Sequence, residues 1–392
     1  MDPESTEDLQ QVAEGVAAAA ERDPVRYLTY HEARRTYAYD ARPEAGGQTV
    51  PELESAAAAG DLEAMVALGL HREGEGDISG ALDAYRGAAA SGYPYAHFRL
   101  GFAVEIHERD LEAALRHYLD ADEAGDANGA ANAGRLLKEN GDLRAAEEAF
   151  GRSYDRGGVR ALSDHAGLMS NRTDATAEEI ADVVAKLCAV EDMWVEAEVR
   201  ERRDGDGERL SVVESQVGPP LAVFSGMWRH CDRDAMEAGV AAADRGGSAA
   251  GAYHLGVLLR EREDRTAAAE ASARAGERGY PAGWTNAAVN LGELGDQAGA
   301  EHAARKGDAM GEADATVLLG LILDEKGDRR GSIEANRRAD AMGHKDGAFH
   351  LGIDLVKEGA LEEAEAALQR ALERGEPKAE EILRMVRSGR GG

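Results

Sequence analysis

The sequence predicts an all-α fold, a right-handed solenoid of helix-turn-helix repeats with a period of about 32 residues. Three observations support this class. A Leu-Gly pair recurs in phase along the chain, a second glycine closes each interval, and the apolar residues between them follow a helical period. The aromatic content of only 5% also suits stacked helices in close contact better than one large globular core.

The Leu-Gly pair sets the phase of the repeat. It stands at Leu68-Gly69, Leu100-Gly101, Leu255-Gly256, Leu319-Gly320 and Leu351-Gly352, with degenerate copies at Ala133-Gly134, Ala166-Gly167 and Ala287-Ala288. The closing glycines are Gly60, Gly92, Gly125, Gly157, Gly247, Gly279, Gly311, Gly343 and Gly375. Because the last four intervals between closing glycines are all 32 residues, one structural unit is expected to repeat there.

Within one repeat the pattern predicts two helices. The first ends near Glu73, and the turn Gly74-Glu75-Gly76-Asp77 separates it from the second. The second helix carries one apolar stripe with helical spacing: Ala81, Leu82, Tyr85, Ala88 and Ala89. The closing glycine supplies the positive φ that commonly ends a helix. Because one hairpin cannot bury its stripe alone, consecutive hairpins are expected to stack.

These positions resemble the tetratricopeptide repeat and its close relative, the Sel1-like repeat. That family keeps a Leu-Gly pair in the first helix, and in the second a small residue at the helix crossing, an aromatic residue and an alanine. Here those places hold Leu68-Gly69, Ala81, Tyr85 and Ala88, and in the third unit Gly134, Ala146, Phe150 and Ser153. The period is shorter than the usual 34 residues, and the aromatic place later holds Ser272, Asn336 or Leu368. The resemblance covers roughly residues 60–190 and 220–375 and implies the architecture, because packing defines this family.

The repeat pattern divides the chain into four parts. Residues 1–59 predict an N-terminal helix and a tyrosine-rich segment, which is either an irregular cap of the array or a contact surface. Residues 60–190 predict a first array of about four hairpins. Residues 191–218 predict a non-repeat insert, and residues 219–392 predict a second array with a C-terminal capping helix.

The insert predicts a small β-hairpin. In its first arm, apolar Val195, Ala197 and Val199 alternate with charged residues. A glycine-rich turn follows at Asp204-Gly205-Asp206-Gly207, and then an apolar second arm at residues 210–213. The first arm has a helical alternative, because Val190, Met193, Trp194 and Ala197 also fit a period of 3.6 residues.

The sequence predicts no enzyme, no cofactor and no metal site. The segment from Asp204 resembles a calcium-binding loop, but Arg209 stands where such a loop needs glycine and Ser215 where it needs glutamate. The neighbours His230-Cys231 have no second pair of ligands for zinc. The many carboxylates are expected to form a solvated surface.

Charge and cysteine content narrow the class of partner and the compartment. The net charge of −30, from 75 acidic and 45 basic residues, repels phosphate backbones and anionic lipids, so neither nucleic acid nor membrane is an expected partner. Two cysteines cannot form a disulfide framework. No apolar stretch is long enough to span a bilayer. A cytoplasmic location is therefore expected, whereas the oligomeric state is not predicted.

The leading functional hypothesis is a scaffold or adaptor that binds a partner protein through the concave face of the repeats and through the insert. The position after the Leu-Gly pair is mostly apolar: Leu70, Phe102, Arg135, Leu168, Val257, Leu321 and Ile353. These side chains either pack into the core or line an apolar groove with Phe98, Tyr253 and Phe349. Arg135 and Lys138 are the candidates for binding an anion, and the insert contributes Trp194, Arg200, Arg202 and Arg209. The alternative hypothesis is a regulator that changes conformation when it binds a short peptide.

Overall fold

Loops built from a glycine and an aspartate determine where many helices of this chain end and begin. Gly76 has a φ of 85°, a left-handed conformation that favours glycine, and the next residue, Asp77, begins a new helix. The Asp77 carboxylate accepts a hydrogen bond from the Gly80 backbone N–H at 3.0 Å. The same pair recurs at Gly125-Asp126, Gly141-Asp142, Gly295-Asp296 and Gly327-Asp328. At each of these places, two consecutive helices are therefore joined by only a few residues.

The structure is a computed structural model that describes residues 49–204, 227 and 229–389. Within them, unit 1 holds residues 49–197, 227 and 229–236, and unit 2 holds residues 198–204 and 237–389. The tyrosine-rich N-terminal segment and the second arm of the predicted β-hairpin lie outside the described residues.

Unit 1 is built from antiparallel helical hairpins. Its helices are α1 (Val50–Ala58), α2 (Leu62–Gly74), α3 (Ile78–Ala90), α4 (Pro94–Ala103), α5 (Leu111–Glu123), α6 (Ala127–Glu139), α7 (Leu143–Asp155), α8 (Ala161–Met169) and α9 (Ala177–Asp204), which begins in this unit. Each helix from α1 to α7 packs against the next one along the chain.

Unit 2 repeats the same hairpin. Its helices are α10 (Arg233–Arg245), which ends in this unit, α11 (Ala249–Glu261), α12 (Arg265–Glu277), α13 (Pro281–Glu293), α14 (Gln297–Ala309), α15 (Ala313–Glu325), α16 (Arg329–Ala341), α17 (Lys345–Glu358), α18 (Leu361–Glu373) and α19 (Ala379–Gly389). From α11 onward, successive helices pack against one another. The predicted all-α repeat class is thereby confirmed.

The core of each hairpin lies where its two helices cross. A Cβ on Gly69 would overlap the ring of Tyr85, lying 2.8 Å from its Cδ1, and a Cβ on Gly134 would lie 3.0 Å from Cδ1 of Phe150. The same crossing recurs where the aromatic residue is replaced, at Gly256 with Ser272, Gly320 with Asn336 and Gly352 with Leu368. Ala81 and Ala146 are buried at 1% and 0% exposure. The predicted phase of the repeat is therefore confirmed.

A π-helical turn absorbs the extra residue of the second hairpin. Gly101 and Asp110 are nine positions apart in the chain, whereas Gly69 and Asp77 are eight apart. A π-helix at Val104–Glu108 continues α4 and takes up the difference. It ends at Arg109, whose φ is 57°. The longer interval between Gly101 and Gly134 therefore leaves the helix crossings in register.

The β-hairpin prediction is wrong for the first arm of the insert. Helix α9 continues without interruption through Trp194 to Asp204. Burial along it follows a helical period, because Val184, Cys188, Glu191 and Val195 are all buried. The alternation of apolar and charged residues at 195–200 covers less than two helical turns, so it is too short to distinguish a strand from a helix. No strand occurs among the residues that the structure describes.

Candidate protein-binding surface

The first helices of consecutive hairpins in unit 2 lie beside one another, since α13 packs against α11, α15 against α13, and α17 against α15. Equivalent positions on these helices therefore lie in a row. The position after the Leu-Gly pair, or after its Ala-Ala copy, holds a branched aliphatic residue in every repeat of the unit. These residues, here called the aliphatic row, are Val257, Val289, Leu321 and Ile353.

The aliphatic row is not part of the buried core. Leu321 exposes 38% of its surface, and the other three side chains are half-buried. The preceding residue Gly320 faces Asn336 of α16, and Leu319 is buried. The row therefore leaves apolar surface available along four adjacent helices.

Two aromatic side chains of the same helices, Tyr253 and Phe349, pack against other residues of the protein. The ring of Tyr253 stacks on that of Tyr280, with centroids 4.4 Å apart and planes 11° apart. Phe349 is half-buried and packs against the cluster that joins α17, α18 and the final helix α19. Tyr253 and Phe349 are both half-buried, and each stands four positions before a member of the aliphatic row, on the same face of its helix.

The first helices of unit 2 carry a negative charge. Helices α11, α13, α15 and α17 hold eight carboxylates and three Lys or Arg residues. The carboxylates are Glu261, Glu293, Asp314, Asp324, Glu325, Asp346, Asp354 and Glu358. Two of the three cations are engaged: Arg260 contacts Glu293 at 2.6 Å and Lys357 contacts Asp324 at 2.7 Å. An anionic ligand is therefore disfavoured at this surface.

In unit 1, ion pairs join the corresponding first helices. Arg99 of α4 contacts Glu73 of α2 at 2.8 Å. Arg135 of α6 occupies the place that the aliphatic row has in unit 2, and its Nη2 donates to both Glu105 oxygens at 2.6 and 2.7 Å. A third pair, Lys138 of α6 with Asp164 of α8, measures 2.8 Å.

The first of these pairs belongs to a hydrogen-bonded group. Glu73 Oε2 also accepts a hydrogen bond from the Tyr85 hydroxyl at 2.8 Å, and Oε1 lies 3.1 Å from His107 Nε2. Burial alone would raise the pKa of Glu73, but the charge of Arg99 and the hydrogen bonds outweigh it and lower that pKa below its usual value. Burial raises the pKa of the Tyr85 hydroxyl. Glu73 is thus held as a carboxylate that links two hairpins.

The other predicted binding residues that the structure describes lie in the core of unit 1 or on helix α9. Phe98 and Phe102 are buried, at 0% and 7% exposure, so both belong to the core of unit 1. Trp194 is half-buried on α9. Arg200 and Arg202 belong to helix α9, but the structure does not describe their side chains. Arg209 lies outside the described residues.

A recurrent arrangement of ion pairs joins the second helices of consecutive hairpins, and it was not predicted from the sequence. A buried aspartate three positions before a closing glycine accepts hydrogen bonds from two arginines of the next hairpin, 30 and 34 residues later. The three complete sets are Asp122 with Arg152 and Arg156, Asp244 with Arg274 and Arg278, and Asp340 with Arg370 and Arg374. Aspartate and arginine spaced in this way are the signal that identifies them from sequence.

Two of these aspartates, Asp244 and Asp340, carry lowered pKa values. For Asp244 and Asp340, burial raises the pKa, but the hydrogen bonds and charges of the two arginines outweigh it and leave the pKa below its usual value. Asp308 has an incomplete set, because Arg338 contacts it at 2.7 Å while Met342 stands in the place of the second arginine.

In hairpins of both units, a glycine of the first helix lies against a residue of the second helix that follows a small residue by four positions, as Tyr85 follows Ala81. This repeated helix crossing defines the fold type. The fold is an array of helix-turn-helix repeats that resembles the tetratricopeptide and Sel1-like repeats. No protein-family model matches the sequence, and no curated protein matches it either.

Several solved structures are similar to this repeat protein. A Sel1 repeat protein from Oxalobacter formigenes is 17% identical with a TM-score of 0.47, over 87% of this chain and 92% of that one. A protective antigen of uropathogenic Escherichia coli, described as displaying an SLR fold, is 20% identical with a TM-score of 0.36, over 86% and 82% of the two chains. The TPR domain of P58(IPK) is 13% identical with a TM-score of 0.26, over 84% and 98%. These likenesses concern the helical repeat alone.

Two features of other protein classes are missing from the described residues. None of their helices is both long and apolar enough to cross a membrane. The same residues contain no group of three or more His, Cys, Asp or Glu side chains that could hold a metal ion.

Proposed function

We propose that this repeat protein is a non-enzymatic scaffold or adaptor that holds a partner protein on the first helices of unit 2. The aliphatic row is the contact surface, and Tyr253 and Phe349 adjoin it. A cytoplasmic location, and a partner that is neither nucleic acid nor membrane, remain predictions from the acidic charge and the two cysteines.

One observation carries this proposal. The position after the Leu-Gly pair is aliphatic and half-exposed in every hairpin of unit 2. In unit 1 it is so only at Leu70, whereas Phe102 and Leu168 are buried and Arg135 is held in an ion pair. Burying aliphatic side chains against a partner is favourable by about 25 cal/mol per Å² of apolar surface. A contiguous apolar row bordered by charged residues is typical of a protein-binding surface.

Affinity capture from the native cell with mass spectrometry tests the proposal. The full-length chain is compared with a Leu321→Ser/Ile353→Ser variant and with Leu294→Ser as a control. Leu294 exposes 47% of its surface in the same unit but is not a member of the row, since it stands in the turn that follows α13. A partner retained by the wild type and the control and lost from the double variant is the expected result. If every captured protein binds all three chains equally, the row is not the contact surface.

A further inference from the structure

The two margins of the aliphatic row are acidic. On one side, at the beginnings of α15 and α17, lie Asp314 and Asp346. On the other, at the ends of α13 and α15, lie the exposed Glu325 and two carboxylates that are already ion-paired, Glu293 with Arg260 and Arg265 and Asp324 with Lys357. The side chain of Asp314 is 66% exposed and contacts His344 at 3.0 Å. A segment that crosses the four helices along the row therefore runs between carboxylates on both sides.

The spacing of the row suits an extended chain. Neighbouring helices pack about 8–10 Å apart, so consecutive members of the row are separated by about that distance. A polyproline II segment rises about 3.1 Å per residue with three residues per turn. Every third side chain therefore points to one face at intervals of about 9 Å. The two side chains between them point to either side of the segment.

We propose that the partner presents an extended segment with an aliphatic residue at every third position and Lys or Arg at the positions between. The aliphatic side chains contact Val257, Val289, Leu321 and Ile353, and the cations face the two acidic margins. This inference rests on the proposed function and adds the chemistry of the partner. The charge of the surface favours such a segment over an acidic one, because the four first helices hold eight carboxylates and three Lys or Arg residues.

Binding of synthetic peptides to the full-length chain, followed by fluorescence anisotropy, tests the proposal. The probe is a peptide of about twelve residues with the repeated triplet Leu-Lys-Lys. Three matched peptides accompany it: Ser-Lys-Lys triplets without the aliphatic residue, Leu-Glu-Glu triplets with the opposite charge, and a peptide of the probe's composition with its leucines contiguous. We expect the probe to bind at least about tenfold more tightly than each of the three at about 150 mM salt.

Protein variants locate the binding. Leu321→Ser/Ile353→Ser is expected to weaken probe binding by at least about tenfold, and Leu294→Ser is expected to leave it within about twofold. Equal binding of the Ser-Lys-Lys peptide would mean that the acidic charge alone attracts the probe, and equal binding of either other peptide would overturn the charge or the spacing. Unchanged probe binding by the double variant would also overturn the inference.

The two proposals fail in different ways. If the double variant loses the cellular partner but the probe does not bind, the partner chemistry is wrong and the binding surface stands. If the double variant keeps the cellular partner, the proposed function is itself wrong, whatever the peptides do.

Discussion

Glu105 accepts two hydrogen bonds from Arg135, at 2.6 and 2.7 Å, between consecutive first helices of unit 1. Glu105 also accepts a hydrogen bond from the buried Tyr118 hydroxyl at 2.8 Å. In unit 2, the helix position that corresponds to Arg135 holds the residues of the aliphatic row. One repeat frame thus carries an internal ion pair in the third hairpin of unit 1 and half-exposed aliphatic surface throughout unit 2.

Removing Arg135 should destabilise unit 1 strongly. Arg135→Met leaves the Glu105 carboxylate buried without its cation, which is expected to cost about 3–5 kcal/mol in the free energy of unfolding. Arg86→Met is the control, because Arg86 pairs with Asp83 at the surface with side chains 54% and 71% exposed. The control should change stability by at most about 1 kcal/mol. Urea unfolding measures both, and similar values for the two variants would contradict the internal role of the Arg135 pair.

The crossing of Gly69 with Tyr85 predicts a contrast between two glycines of one hairpin. Gly69→Ala places a methyl group against the ring of Tyr85, which is fully buried, and should cost about 1–3 kcal/mol. Gly87→Ala, in the second helix, meets nothing closer than Met65 Sδ at 3.8 Å. It should stabilise the protein by about 0.5–1 kcal/mol, because alanine is the better helix former. Thermal unfolding that ranks the two variants in the opposite order would show that the crossing is misplaced.

The fold was predictable because its signals are periodic and local. Leu68-Gly69, Tyr85 and the glycine–aspartate loops each repeat, so chance agreement is small, and each has a direct cause in backbone conformation or close packing. The first arm of the insert was mispredicted because an alternation of only five or six residues also fits part of a helix. Only contacts distant in sequence decide between them, such as those that bury Val195.

The binding surface was less predictable, because burial in a repeat array depends on neighbours in the next hairpin. Phe102 and Val257 occupy the same position after a Leu-Gly pair, yet Phe102 is buried and Val257 is half-exposed. Arg135 has the charge expected of an anion-binding residue, but Glu105, 30 residues away, uses that charge internally. Val289 follows the degenerate Ala287-Ala288 pair, so the phase of the repeat predicts its place, but its exposure depends on the neighbouring hairpins.

The paired aspartates predict a graded effect on stability. Asp340→Asn removes the negative charge that two arginines share and should cost about 1.5–3 kcal/mol, the range for hydrogen bonds to charged groups. Asp308→Asn should cost less, because Arg338 is its only arginine contact among the described residues. Urea midpoints rank the two variants. An equal or larger loss for Asp308→Asn would mean that the second arginine contributes nothing.

Acid should remove the contribution of these aspartates. The folded-state pKa values of Asp244 and Asp340 are lowered, so the stability they provide is fully present above the unfolded-state pKa of about 4. It is lost as the pH falls through the folded-state values. The difference in unfolding free energy between the wild type and an Asp244→Asn/Asp340→Asn variant should therefore be constant from about pH 7 to 5 and shrink below about pH 4. A difference that grows on acidification would contradict the sign of the shift.

Photocrosslinking in the native cell tests the central claim most directly. A benzophenone amino acid replaces Leu321 of the aliphatic row in one full-length variant and Leu294 in the control, since both leucines are exposed in unit 2. Irradiation is predicted to join a partner protein to the Leu321 variant and to leave the control without that product. Crosslinks to the same partner from position 294 alone, or with equal yield from both positions, would contradict docking on the first helices of unit 2.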